Sequence, residues 1–192
     1  MDTTRDKIIA CGMHAIIDKS YNAVGLQEIL TAAGVPKGSF YHFFPSKEAF
    51  GVAVVEQYAA QAADHLRALL RDASRSPLAR IRHWLESVRD SLVSHAFHRQ
   101  CLLAKTALEM SRHSESLRLA LKDGLDRLRT VLAQCIHEGQ AQGEITAQYD
   151  AELLADVVLN AWEGVMMRAE LNRDTRPIEA FMQVTLNALV KP

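Results

Sequence analysis

The chain has 192 residues, of which 48% are hydrophobic and 23% charged, and its formal net charge at pH 7 is −1. The apolar content is enough to build a core, which excludes a disordered chain, and the low glycine and proline content excludes a collagen-like one. The length suits one large domain or two smaller ones. A charge this close to zero argues against nucleic acid as a partner, because phosphates attract basic proteins.

The distribution of apolar residues and cysteines predicts a cytoplasmic protein that does not enter a membrane. No stretch approaches the roughly 18 consecutive apolar residues of a membrane span, and the polar start of the chain lacks the apolar region of a secretion signal. Cys11, Cys101 and Cys135 are odd in number and widely spaced, which suits a reducing compartment rather than a disulfide framework.

Apolar residues recur at helical spacing along almost the whole chain, and the alternation typical of strands is nowhere sustained. The pattern predicts an all-α fold of about nine helices and no strand. In chain order the helices are expected near residues 9–16, 26–33, 36–43, 46–69, 77–92, 101–111, 117–135, 150–171 and 177–190. The boundary between a small N-terminal unit and a larger bundle is expected along the fourth helix.

The second and third helices are short and are separated by Ala33-Gly34-Val35. A tight glycine-containing turn between two short amphipathic helices is typical of a helix-turn-helix, whose second helix enters the DNA major groove. Gly34 suits the left-handed residue that ends the first of them. Val35 and Phe40 are expected in the core, which leaves an outer face of Lys37, Gly38, Ser39, Tyr41 and His42.

The residues of this outer face can be assigned individual roles in contacting DNA. Gly38 allows close approach to DNA, and Lys37 and Ser39 can reach base edges. We expect Tyr41, His42 and Lys47 to donate to phosphates, together with the helix that Ser46 caps. The alternative is that the aromatic residues of this segment form an ordinary core and nothing more.

The run from Ala33 to Phe50, AGVPKGSFYHFFPSKEAF, resembles the signature of the TetR family of transcriptional repressors, and the likeness extends without gaps over roughly residues 5–55. The resemblance implies a helix-turn-helix DNA-binding domain over 1–48 and a helical inducer-binding and dimerisation domain over 49–192. It implies a homodimer on a palindromic operator in double-stranded DNA. The family usually opens the second helix with Thr or Ser, where this chain has Gly25, so Gln27 or a main-chain N–H is expected to replace that phosphate contact.

The eighth predicted helix has two apolar faces, and a helix of that kind is buried on two sides. With the last helix it is expected to form a four-helix interface with a second copy of the chain. The residues that we assign to this interface are Leu154, Val158, Val165, Phe181 and Leu189. The alternative is the core of a monomer.

The sequence indicates less about the inducer than about DNA binding. Trp84, Met110, Trp162 and Met166 are candidate lining residues for a small apolar ligand, although such residues are more often plain core. Cys101 begins the sixth helix in a Cys-Leu sequence that resembles a motif of TetR-type repressors, one of which senses electrophiles through its cysteine. A thiol at a helix N-terminus near Arg99 and Lys105 would react faster. That repressor pairs its cysteine with a lysine on the eighth helix, where this chain offers Arg168 and Glu170.

Other classes of function find less support in the sequence. His95, His98 and Cys101 could ligate zinc, but on one helix they spread too widely for a single ion. We expect no metal and no cofactor. No phosphate-binding, dinucleotide or hydrolase motif predicts an enzyme. A helical adaptor without DNA binding remains an alternative, as does an uncharacterised enzyme.

The objection from net charge weakens on a local count. Residues 32–47 contain Lys37, His42 and Lys47 and no acidic residue. So few cations predict a shallow dependence of DNA affinity on salt, with affinity that relies on hydrogen bonds and helix N-termini.

Overall fold

The computed structural model describes residues 3–98 and 101–190, and these form nine helices. In chain order they are α1 (Thr4–Asp18), α2 (Leu26–Ala33), α3 (Lys37–Phe43), α4 (Lys47–Leu70), α5 (Pro77–Ser94), α6 (Leu102–Met110), α7 (Glu115–Ala141), α8 (Ala151–Asn172) and α9 (Arg176–Leu189). The predicted all-α fold of about nine helices is confirmed. The one extended pairing in the described ranges is an isolated bridge between Ile145 and Val190.

Several helices begin where a side chain can accept a hydrogen bond from an unpaired backbone N–H. The hydroxyl of Thr3 accepts from the N–H of Asp6, whose carboxylate accepts in return from the N–H of Thr3 at 3.0 Å. Asp150 accepts from the N–H of Leu153 at 2.7 Å at the start of α8. Ser46 accepts from the N–H of Ala49 at 3.0 Å, as expected for the cap of α4. Such caps stabilise a helix by about 1 kcal/mol each.

Contacts group the described residues into two compact units. Unit 1 contains residues 3–61 and 101–125, which hold α1, α2, α3, the first part of α4, α6 and the start of α7. Unit 2 contains residues 62–98 and 126–190, which hold the rest of α4 and α7 with α5, α8 and α9. The division of the sequence at residue 48 stays a prediction. The structure shows that residues of α6 pack in the same unit as the helix-turn-helix.

Unit 1 is built around an aromatic cluster that joins α3 to α4. Phe40 and Phe50 are fully buried, and their ring centroids lie 5.6 Å apart. Phe44 lies 5.3 Å from Phe40 and 5.2 Å from Phe50. Gly12 of α1 packs so close to the ring of Phe50 that a Cβ there would lie 2.2 Å from its Cζ atom. Any larger residue at position 12 would therefore force either α1 or the ring of Phe50 to shift.

Unit 2 has one continuous core, in which Trp162 of α8 lies 6.0 Å from Trp84 of α5 and 5.6 Å from Phe181 of α9. Within unit 2, α4 contributes Leu66 and Leu70 to this core. His65 of α4 lies outside this core, because its side chain is exposed. With 3.6 residues per turn, the row of buried residues shifts around the axis of α4 over its six turns. Small buried residues such as Ala63 lie in this row between the larger ones.

Candidate nucleic-acid interface and effector core

The turn between α2 and α3 has the geometry that the sequence predicted. Gly34 adopts the left-handed conformation, with φ of 65°. The N–H of Val35 donates to the carbonyl of Leu30 at 3.0 Å, and that of Gly34 to the carbonyl of Thr31 at 3.2 Å. These bonds end α2 and turn the chain sharply into α3.

One side of α3 is core and the other is solvent-facing. Phe40 is fully buried, whereas Lys37, Gly38, Tyr41 and His42 are exposed and Ser39 is half-buried. The ring of Tyr41 meets that of Phe40 edge-on at 5.3 Å, which orients it while 56% of the residue remains accessible. The structure thus brings together all five outer-face residues that the sequence singled out.

Gly38 is not needed by the packing of this chain. A Cβ at this position would meet no atom within 4 Å, and the backbone conformation does not require glycine. Glycine in a helix is less favourable than alanine by up to about 1 kcal/mol. A glycine that the fold itself does not use is consistent with close approach by a molecule outside the chain.

The start of α2 lacks a side-chain cap, as its glycine predicts. Gly25 is the N-cap residue and offers no hydrogen bond to the first turn. Gln27 is exposed near that end, and the hydroxyl of Thr31 donates to its carbonyl at 2.8 Å. Sequence reasoning missed this contact between Thr31 and Gln27, although their spacing of four positions on one helix could have revealed it.

Lys47 has an internal role that the sequence did not predict. Its ammonium donates to the carbonyl of Tyr21 at 3.1 Å and to that of Val24 at 2.7 Å, and it lies 5.0 Å from the ring centroid of Tyr21. The hydroxyl of Tyr21 donates back to the carbonyl of Lys47 at 3.1 Å. An ammonium has three N–H donors, so one remains for a phosphate. The predicted phosphate contact stays a prediction, beside this structural task.

The environment of Tyr21 shifts its ionisation. Burial, with a smaller contribution from the nearby charge of Glu48, raises the pKa of Tyr21 to about 12. At the N-terminus of α4, the hydroxyls of Ser114 and Ser116 donate to the Glu48 carboxylate and hold the pKa of that group below its usual range. In unit 1 the charged side chains of Lys47 and Glu48 are therefore both hydrogen-bonded to uncharged groups.

Cys101 is the N-cap residue of α6, in an extended conformation, and is half-buried. Its carbonyl accepts from the N–H of Lys105 at 3.0 Å. The sequence placed the charge of Lys105 near the thiol, but in the structure the ammonium donates to the carbonyl of Ile17 at 2.8 Å. Arg99, the second cation invoked for the thiol, lies outside the described residues.

The other candidate effector residues divide between the units. Trp84, Trp162 and Met166 belong to the single core cluster of unit 2 and are nearly fully buried. Met110 ends α6 in unit 1 and is half-buried. The structure therefore brings three of the four predicted lining residues together. Within the described residues, no group of three or more His, Cys, Asp or Glu side chains is placed to hold a metal ion.

The two sides of α8 are sharply different. Ala155, Val158, Trp162, Met166 and Ala169 are buried in unit 2. The opposite side is exposed and carries an apolar stripe, which consists of Leu153, Val157, Met167 and Leu171 with Gly164 between them. At about 100° per residue, these five positions fall within an arc of about 80°.

The burial of the predicted interface residues in their own unit limits which of them can contact a second copy of the chain. Of the predicted interface residues, Val158 and Leu189 are buried in the core of their own unit, while Leu154, Val165 and Phe181 are half-buried against it. The prediction of an interface on α8 and α9 stays untested. The sequence recognised two apolar faces on α8, but periodicity alone does not tell which face packs inside its own chain.

Comparison with known proteins identifies both halves of the chain. Residues 8–54 match the profile described as bacterial regulatory proteins, tetR family, and residues 77–185 match the tetracyclin repressor-like C-terminal domain. The chain belongs to the TetR family of helix-turn-helix transcriptional repressors. Its members are regulators rather than enzymes, so the expectation of a non-enzyme is confirmed. None of the helices in the described ranges is long and apolar enough to span a membrane.

Among the similar proteins is the transcriptional regulator AcuR of Cereibacter sphaeroides, which is 37% identical over 91% of this chain and 80% of its own length. The repressor NemR of Escherichia coli is 30% identical over 98% of this chain and 95% of its own. A crystal structure of the reduced form of NemR superposes with a TM-score of 0.92 over 98% of both chains. A regulatory protein TetR from Rhodobacter sphaeroides gives 0.90, over 98% of this chain and 100% of its own. The predicted membership of the TetR family is thus confirmed.

Proposed function

We propose that this protein is a cytoplasmic repressor that binds a palindromic operator as a homodimer and leaves it when a small apolar or electrophilic inducer binds. The observation that carries the proposal is the outer face of α3, where polar side chains flank a glycine that the fold does not need. A helix with this face can approach the floor of the major groove closely. In a dimer, two such helices would lie ~34–36 Å apart, one turn of DNA.

Within this face we assign base reading to Lys37 and Ser39, with Gly38 at the point of closest approach. Tyr41, His42 and Lys47 supply donors for phosphates, and Gln27 supplies an amide at the start of α2. Tyr41 and His42 are exposed and Lys47 retains one ammonium proton, which leaves each of them able to donate. Base contacts specify sequence, whereas phosphate contacts fix position and add affinity on any sequence.

DNA binding is tested by fluorescence anisotropy with the DNA upstream of the protein's own gene and with a scrambled duplex. We expect the wild type to prefer the upstream DNA at moderate salt. Lys37→Ala should reduce this preference, while Arg71→Ala, which removes the same charge from an exposed site in unit 2, should not. If Lys37→Ala weakens both duplexes equally, Lys37 is not a base reader, and a wild type without preference would contradict the proposal.

For the dimer we propose the exposed stripe of α8, Leu153, Val157, Gly164, Met167 and Leu171, extended by Val184 of α9. Val157 is 56% exposed and Leu171 69%, which is unusual for aliphatic side chains grouped on one face, and Val184 of α9 is 70% exposed. A Cβ added at Gly164 would meet no atom within 4 Å, so the small size of this residue serves nothing within its own chain. A helix from a second copy would bury the stripe and use the room at Gly164.

The dimer is tested by sedimentation equilibrium of Val157→Lys, compared with Val93→Lys. Val93 is an exposed apolar residue of α5 in the same unit, so the control introduces the same charge away from the stripe. We expect Val157→Lys to weaken association by at least about tenfold, because the new charge would be desolvated at the interface. Equal association of the two variants would place the dimer interface elsewhere.

For the inducer, two sites compete. The aromatic core of unit 2 around Trp84 and Trp162 offers an apolar site for a reversible ligand, and Cys101 offers a thiol at the start of α6. We favour a covalent response at Cys101 for electrophiles, since NemR, whose structure is described in its reduced form, is 31% identical to this chain over 98% of it. Either event would act on DNA binding through helices that cross both units, such as α4, and a coupling of ~1–3 kcal/mol would suffice.

The thiol hypothesis is tested by following operator binding during treatment with N-ethylmaleimide. We expect wild type and Cys11→Ser to release DNA and Cys101→Ser to keep it. Cys11 is the matched control because it is also half-buried. Cys135 is buried, its sulfur contacts the carbonyl of Pro77, and burial raises its pKa to about 12, so it should stay unreacted. If Cys101→Ser responds like the wild type, the sensor is not Cys101.

A further inference from the structure

The connection between α1 and α2, residues 19–25, sets where α2 begins. Lys47 holds the carbonyls of Tyr21 and Val24, and Lys19 pairs with Glu28 at 2.6 Å, whereas Asn22 between them is exposed. The last turn of α1 contains no basic residue to neutralise its exposed carbonyls. Ser20 has φ of 122°, which is unfavourable for a residue with a side chain. Gly25 gives α2 no side-chain cap. The position of this connection therefore depends on groups that come from elsewhere in unit 1.

Two of those groups come from α6. The Lys105 ammonium donates to the carbonyl of Ile17 in the last turn of α1 at 2.8 Å. The Glu109 carboxylate accepts from the backbone N–H of Asn22, in the connection itself, at 3.0 Å. Four residues separate Lys105 from Glu109, so both project from the same side of α6. Each charge meets the backbone group of opposite polarity, a cation at the carbonyl end of a helix and an anion at an N–H.

The attachment of α6 to unit 1 does not depend on this pair alone. Leu102 and Leu103 are fully buried, and Leu103 lies against the position of Gly124 in α7. Because these apolar contacts hold α6 in place, removal of either charged group should leave the helix folded. What it would release is the connection before α2.

We propose that Lys105 and Glu109 are positioning residues for operator binding, which clamp the α1–α2 connection and thereby hold α2 and α3 at the angle that the major groove requires. The inference rests on the proposed DNA-binding function and extends it to residues far along the chain from the helix-turn-helix. It also assigns a path for regulation within unit 1, since the clamp and the Cys101 cap lie on the same short helix. Displacement of α6 would open the clamp and loosen α2.

The test uses the full-length protein with Lys105→Met and Glu109→Met, which remove the charged group and keep a flexible apolar side chain. Lys105→Arg and Glu109→Gln are the conservative variants, because they retain a donor and an acceptor. Arg112→Met and Asp123→Met are the matched controls, since they make the same charge changes at exposed positions of unit 1. For each variant we would measure affinity for the DNA upstream of the protein's own gene, which serves as the operator probe, and for a scrambled duplex. Thermal stability and hydrogen exchange at the amide of Asn22 are measured on the same variants.

We expect Lys105→Met and Glu109→Met to lose operator affinity by about tenfold, because α2 and α3 would hold the binding-competent arrangement for only a fraction of the time and the apparent affinity falls with that fraction. Affinity for scrambled DNA and the melting temperature should stay near wild type, because phosphate contacts and the core are intact. The conservative variants should recover most of the affinity. The amide of Asn22 should exchange faster in Glu109→Met only.

Either of two results on DNA binding would overturn the proposal. One is operator affinity in both methionine variants equal to that of the controls. The other is an equal loss on operator and scrambled DNA together with a lower melting temperature, which would make the pair part of the fold rather than a clamp for DNA reading. If the wild type itself shows no operator preference, the proposed function fails, and unchanged Asn22 exchange in Glu109→Met would separately refute the clamp.

Discussion

Arg80 of α5 is buried in unit 2, and its guanidinium forms an ion pair of 2.7 Å with the carboxylate of Glu138 on α7. The same guanidinium donates to three backbone carbonyls around the connection between α4 and α5, those of Leu70, Asp72 and Arg75. One side chain thus satisfies the carbonyl end of α4 and the loop that follows it. Arginine suits this position because its five N–H donors point in different directions within one rigid plane.

Arg80→Met should lower the free energy of unfolding by about 3 kcal/mol, because several acceptors would lose their donor at once. Glu138→Gln should cost less than about 1 kcal/mol, since Glu138 is partly exposed and Arg80 would keep its carbonyl partners. Arg82→Met is the control, as Arg82 is an exposed neighbour on the same helix. Urea denaturation followed by circular dichroism measures all three, and equal midpoints for the two arginine variants would contradict the assignment.

Tyr21 should make unit 1 sensitive to alkali. Its pKa is raised from 10.0 to about 12, so in this interval the folded chain keeps a proton that the unfolded chain loses. Stability contributed by the neutral phenol is therefore present below about pH 10 and falls as the pH rises towards about 12. Tyr21→Phe should be less stable at about pH 8, because the bond to the Lys47 carbonyl is lost, but its stability should fall less steeply in the alkaline range.

The measurement is the unfolding midpoint in urea between about pH 8 and about pH 11 for wild type, Tyr21→Phe and Tyr149→Phe. Tyr149 is 50% exposed and serves as the matched control. The buried thiol of Cys135 contributes to alkaline sensitivity in all three proteins, so the difference between them isolates Tyr21. Parallel curves for wild type and Tyr21→Phe would show that the phenol does not govern this dependence.

Ala96→Gly should stabilise the protein by about 0.5–1 kcal/mol. Ala96 follows the C-cap of α5 with φ of 51°, where the N–H of Phe97 donates to the carbonyl of Leu92 at 2.9 Å. This is the left-handed position of a helix end, which glycine occupies without steric cost. Ala10→Gly, in the middle of α1, should instead destabilise by about 1 kcal/mol. A fall in the melting temperature of Ala96→Gly would contradict the prediction.

Gly38→Ala should separate folding from DNA binding. The new methyl group meets no atom of the chain within 4 Å, and alanine is the better helix former, so the melting temperature should stay the same or rise. Operator affinity should fall by about tenfold or more, because the methyl group would occupy the space that the DNA backbone or a base edge needs. Anisotropy and thermal melts of the same preparation test this. Unchanged affinity would remove Gly38 from the point of closest approach.

Local features of the structure were predictable from the sequence because they depend on neighbours in the chain. The left-handed Gly34, the cap at Ser46 and the inward Phe40 all follow from conformational preference and helical period. The outer face of α3 follows from the same period. The resemblance to the family rests on a contiguous run of residues, so the helix-turn-helix can be recognised from the sequence alone.

Contacts between distant parts of the chain were not predictable in this way. Periodicity found two apolar faces on α8 but could not say that Val158 faces the core and Val157 the solvent, because this depends on which helices pack against α8. The same holds for charges. Lys47 and Lys105 are cations in the sequence, and only the fold shows that both bind backbone carbonyls at the end of α1 and in the connection that follows it.

The sequence by itself therefore determined the helices, the outer face of α3 and the family, since each is encoded by residues close together in the chain. The tertiary structure decided which apolar stripe of α8 remains exposed and which charged side chains bind groups within their own chain. The physical reason is that burial and hydrogen-bond partners are properties of the space around a residue. Lys105 and Ile17 are 88 residues apart in the sequence, so the hydrogen bond between them forms only when the chain has folded.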